Sequence, residues 1–171
     1  MSIFHRLFSN TDARDEMRPL YEAIVARARE PHWYAQGGVP DTLDGRFDMV
    51  AAILSAVLLR LEPHPQARQQ SVWLTEIFVD DMDGQLRQIG IGDMIVGKHI
   101  GKMMSALGGR LSAYRTAFAG AESLDEALVR NLYRGDPPAA PERDHVVQSL
   151  TTFWQDLGTC EVSDLLDGKL P

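Results

Sequence analysis

Apolar residues recur at helical spacing along nearly the whole chain, and nowhere do they alternate at the period of two that a strand requires. Met17, Leu20, Tyr21, Ile24, Val25 and Ala28 repeat at three and four, which predicts an amphipathic helix. Pro19 fits only its first turn, and Pro31 closes it. Residues 32–44 read as a loop that Trp33 and Tyr34 anchor in the core. Gly37-Gly38 and Pro40 mark a turn, and Asp41, Thr42 or Asp44 is available to cap the next helix. That second helix, Asp44 to Leu61, carries a stripe of Phe47, Val50, Ala51, Leu54, Val57, Leu58 and Leu61, which Met49, Ile53 and Ala56 widen around most of the cylinder. A helix apolar nearly all round is a buried one, so this is the expected centre of the fold.

Five further helices and a last turn complete the chain. A third helix is predicted from Pro65 to Gln88. A fourth starts at Asp93 or Gly97 and runs to Leu107, where Gly108-Gly109 either breaks it or admits a close neighbour. A fifth is predicted from Arg110 to Gly120. Ser123-Leu-Asp-Glu126 is a capping box that opens a sixth, ending at Tyr133. Residues 134–141 read as a Pro-rich linker, Glu142 to Asp156 as a seventh helix, and 163–166 as one last turn. The class is therefore all-α: a single-domain bundle of about six or seven helices around the buried helix 44–61. It spans residues 12–171, behind a flexible arm at 1–11.

The 171 residues suffice for one sizeable core. Cys160 is the lone cysteine, which excludes an internal disulfide and a thiolate zinc cluster. No apolar run is long enough to cross a bilayer, the longest being 49–59, and the first residues hold neither a secretory core nor a convincing transit peptide. Net charge is −7, which argues against sequence-specific nucleic-acid binding. The charge is divided, however. From Met94 to Ala121 there is no acid, and Lys98, Lys102, Arg110 and Arg115 give +4 against −11 elsewhere. Met82, Met94, Met103 and Met104 fall in the same central region, and methionine adapts to irregular apolar partners.

The densest chemistry lies between Trp73 and Met94. On a helix Glu76, Asp80, Asp83 and Arg87 form one polar stripe, with Asp83 and Arg87 a ready i, i+4 pair. Asp81 lands instead on the apolar face. A carboxylate there needs a partner, and Arg46, Lys98 and Arg110 are the expected ones. Residues 89–92 are expected to form an elbow between antiparallel helices, with Asp93 placed to cap the second. Nothing here builds a phosphate loop. Asp80, Asp81 and Asp83 could serve a metal- or diphosphate-dependent enzyme, but the spacing departs from the DDxxD and EF-hand patterns. The five histidines are scattered, with none at helical ligand spacing from another.

In order, Gly38-Val-Pro-Asp-Thr42, Gly45-Arg-Phe-Asp48, Asp81-Met-Asp83, Leu86-Arg87, Gly90, Gly92-Asp93, Lys98, Gly109-Arg110 and Ala113-Tyr114 resemble the ubiquinol–cytochrome c chaperone family over residues 20–118. Departures fall at Gly37, Gly84, Gln88 and Gly97. The resemblance implies a non-catalytic assembly factor without a cofactor, in a bacterial, cytoplasmic form working beside the inner membrane. It also implies cytochrome b, or another membrane-protein client, as partner. The ribosome and a small partner protein are partners of the mitochondrial relatives, and peripheral membrane contact fits the same picture. Lys98, Lys102, Met103, Arg110 and Arg115 are the expected partner-binding residues, with apolar and methionine side chains shielding a nascent membrane helix. Asp81, Asp83, Arg87, Arg46 and Asp93 are expected to be structural pairs or caps. A small all-α enzyme and a generic soluble interaction domain are the rivals.

Overall fold

The computed structural model describes residues 12–88 and 93–171, with the side chains of 86 and 93–100 left aside. The eight α-helices among the described residues are α1 (Arg18–Ala28), α2 (Pro31–Ala35), α3 (Leu43–Leu61), α4 (Arg68–Gln88), α5 (Asp93–Phe118), α6 (Leu124–Asn131), α7 (Ala140–Thr159) and α8 (Val162–Leu166). Short 3₁₀ turns at Ala13–Met17 and Pro65–Ala67 precede α1 and α4. No strand occurs among the described residues. The arm expected at 1–11 and the elbow at 89–92 lie outside them.

The bundle closes around α3, which packs against α1, α4, α5 and α7. Met49, Ile53, Leu54 and Val57 on α3 are fully buried, as a helix apolar all round demands. Its start is fixed by the loop before it. Thr42 accepts a hydrogen bond from the Gly45 amide at 3.1 Å, an N-cap worth about 1 kcal/mol. Gly45 lies so close beneath that loop that a Cβ would stand 2.0 Å from the Pro40 carbonyl oxygen. Gly38 turns the chain at φ +61°, the left-handed region that glycine adopts without strain.

Three expectations are corrected. The aromatics at 33 and 34 sit on the single turn α2, not in a loop. Pro31 seeds that turn. Trp33 Nε1 donates to the Arg27 carbonyl at 2.8 Å and the Tyr34 hydroxyl to the Ala28 carbonyl at 2.9 Å, so both rings tie α2 to the end of α1. Second, the predicted fourth and fifth helices are one. α5 runs unbroken through Gly108-Gly109, held by Leu107 and Arg110, buried on either side. Neither glycine admits a neighbour, because a Cβ at either would meet nothing within 4 Å. Two glycines cost about 1 kcal/mol each in a helix interior, less than the packing that keeps the helix whole. Third, α7 starts inside the predicted linker, at Ala140, where the Glu142 carboxylate accepts from the Ala139 amide at 3.0 Å.

The end of the chain is fastened as well. Arg60 of α3 donates to the carbonyls of Leu157 and Cys160 at 2.8 and 2.9 Å, satisfying the open end of α7. Leu165 of α8 is buried, and Gly168 presses against Pro19.

Candidate functional site

The only fully buried carboxylate among the described residues is not one of the aspartates of α4 but Asp48 of α3. Arg110 of α5 donates Nη2 to its Oδ1 at 2.5 Å. Arg134, just after α6, donates Nε to its Oδ2 at 2.5 Å and Nη1 to Asp44 at 2.7 Å. Arg110 also reaches the Asn131 carbonyl at 3.2 Å. Three elements are thus pinned to one carboxylate. Burial pushes the Asp48 carboxyl above its ordinary value, and the Arg134 and Arg110 guanidiniums draw it back. Arg134 adopts φ +53°, a strained conformation for a residue with a side chain, and its bonds to Asp44 and Asp48 hold it there.

Above this node lies a groove of about 460 Å³ between α3, α4 and α5. Phe47, Met82, Met103 and Ala106 supply its apolar lining, with Leu43 exposed at one edge. The Arg110 guanidinium lies 5.4 Å from the centre of the Phe47 ring, which itself packs on Phe78. Arg110 and Arg134 border the groove with their charges already answered by Asp48 and Asp44. Lys102 stands on the rim, exposed, with no ion pair among the described residues. A second groove, about 560 Å³, lies between Leu58, Val72, Met104 and Leu111, with Val72 and Met104 exposed.

The predicted site residues therefore separate. Lys102 and Met103 share the first groove, with Arg110 at its base. Arg110 is a structural cation, 9% exposed. Arg115 lies elsewhere, paired with Glu62 at 2.8 Å. Position 98 is one turn before Lys102 on α5, its side chain outside the described residues, as are the side chains of Asp93 and Met94.

Among the described residues Asp81 finds no cation, and the side chain of Lys98, one of its expected partners, lies outside them. Asp81 accepts from the Tyr21 hydroxyl at 2.7 Å and from Gln85 Nε2 at 3.1 Å. The phenol of α1 faces it directly, whereas Arg46 is drawn to Asp41 at 2.6 Å and Arg110 to Asp48. Burial first, and the bond to Asp81 second, raise the Tyr21 phenol far above its ordinary value, so it stays a donor. Asp80 pairs with Arg14 at 3.0 Å and Asp83 with Arg87 at 2.7 Å. The three aspartates thus point to three different partners. No group of metal-ligating side chains occurs among the described residues.

The model of the family described as ubiquinol-cytochrome C chaperone matches residues 35–170. The chain belongs to that family. The crystal structure of the Cbp3 homolog from Brucella abortus superimposes with a TM-score of 0.80 at 30% identity, over 91% of this chain and 87% of that one. No curated protein matches in sequence. The family match reaches past Phe118 and takes in α6, α7 and α8.

The motifs gain physical content from this chaperone fold. Gly38 to Thr42 turns the chain and caps α3. Gly45 fits beneath Pro40, Arg46 answers Asp41, and Asp48 with Arg110 forms the buried node. Sequence reasoning missed Asp48 as an ion site, along with Arg134 and Tyr21. It also missed a contact between histidines: His32 Nδ1 lies 2.9 Å from His145 Nε2, and His32 Nε2 lies 3.0 Å from Glu30, joining α2 to α7. A signal for Asp48 was present. It is an acid on a helix apolar nearly all round, the same argument that singled out Asp81. Nothing in the spacing could pair positions 113 residues apart.

Proposed function

We propose that this chain is a non-catalytic assembly factor of the ubiquinol–cytochrome c reductase that binds newly made cytochrome b. Membership of the chaperone family over most of the chain carries the reading. The groove over α3, α4 and α5 supports it, because a lining of ring, thioether and methyl groups adapts to an apolar segment without demanding one shape. The acidic run of α4 supports it too, since each aspartate is turned to its own partner and not to a common centre.

The protein would work on the cytoplasmic side, at the face of the inner membrane, covering an apolar stretch of its client until haem or a neighbouring subunit covers it instead. No helix among the described residues is long and apolar enough to cross a membrane. Deletion of the gene followed by difference spectroscopy of membrane haems tests the reading. The b- and c-type haems of the reductase should fall together, and a plasmid copy should restore them. Unchanged haems in the deletion strain would remove the assembly role.

A further inference from the structure

We infer that the groove between α3, α4 and α5 takes an amphipathic helix of the client that carries a carboxylate beside its apolar face, and that Lys102 receives that carboxylate. The inference rests on the assembly-factor reading and adds the chemistry of the segment bound.

The charge accounting around the groove supplies the argument. Arg110 and Arg134 are spent on Asp48 and Asp44. On the same acid-free stretch, Arg115 is spent on Glu62. Lys102 remains, exposed beside Met103 and Ala106, with no partner among the described residues. An occupant that is apolar throughout would strip water from this ammonium and leave it unanswered, which disfavours binding. A carboxylate one turn from the apolar contact answers it, while a lysine there is repelled. Position 98, one turn earlier on α5, repeats the same charge along the helix.

An anionic bilayer fits less well. Lipid recognition of this kind uses clusters of four to eight basic residues. Here the neighbouring arginines are neutralised, Asp44 lies at the groove edge, and the chain as a whole carries −7. A concave site with an apolar floor suits a helix face.

The test uses the purified full chain and two labelled synthetic helical peptides with the same leucine/alanine face, one flanked by glutamates and one by lysines. Fluorescence anisotropy should show the glutamate peptide binding about tenfold tighter at low salt, with the preference shrinking at high salt. Lys102→Glu should reverse the preference, and Lys102→Met should abolish it. Both variants should melt like the parent, because an exposed, unpaired lysine supports no fold. Val72→Asp, in the second groove, should leave the preference intact. Equal binding of the two peptides would overturn the inference. So would an unchanged preference in Lys102→Glu, loss of binding in Val72→Asp alone, or tight binding to anionic vesicles that the glutamate peptide fails to displace. Failure here with haem loss in the deletion strain sinks the groove chemistry and spares the assembly role. Charge selection here with intact haems does the reverse.

Discussion

Two acidic regions of this molecule invite comparison. The α4 run of Asp80, Asp81 and Asp83 is the densest cluster of acid in the sequence, yet its members are exposed or half-buried and divide among Arg14, Tyr21 and Arg87. Asp48 is a single acid in an apolar helix, yet it is fully buried and gathers Arg110 and Arg134 from two other parts of the chain. Crowding of like charges along a helix marks a solvated face. A solitary charge on an apolar face marks a node, because low-dielectric surroundings make its pairing obligatory.

That contrast can be broken by substitution, and the largest effect should come from the node. Asp48→Ala leaves Arg110 buried beside an empty site, and urea unfolding should show a loss of about 3–5 kcal/mol. A loss no greater than that of a surface change would erase the contrast. Tyr21→Phe removes the donor to half-buried Asp81 and should cost about 1 kcal/mol by the same measurement. Gly108→Ala and Gly109→Ala should each stabilise by about 0.5–1 kcal/mol, since α5 is continuous and nothing occupies the space of the new methyl groups. Destabilisation would mean that the helix does break there. Asp83→Asn should change stability by only a few tenths of a kcal/mol. Magnesium should leave the melting temperature of the parent unmoved. A metal-dependent rise that Asp83→Asn abolishes would revive the enzymatic reading of the aspartates, since a ligand that binds only the folded state raises that temperature.

The helical class and the central place of helix 44–61 were legible because hydrophobic periodicity is set by the same burial that builds the core. Helix ends were legible where a side chain caps them, as at Ser123, and at Thr42 as one of three candidates. The break at Gly108-Gly109 was misread because local propensity favours it, and the anchors that override it, Leu107 and Arg110, act through tertiary contacts. The candidate site was legible in part. Lys102 and Met103 stand where a partner could meet them, while Arg110 and Arg115 carry the same charge but are committed to Asp48 and Glu62. Charge sign can be read from sequence, but whether a charge is free depends on residues tens of positions away.

The central claim, that the groove lined by Phe47, Met82 and Met103 and not the one lined by Leu58, Val72 and Met104 receives the client, is most directly tested by a photo-crosslinking amino acid placed at position 102 or at position 72 in growing cells. Nascent cytochrome b should be captured from 102 and not from 72. Capture from 72 alone, or from neither position while the reductase still assembles, would contradict it.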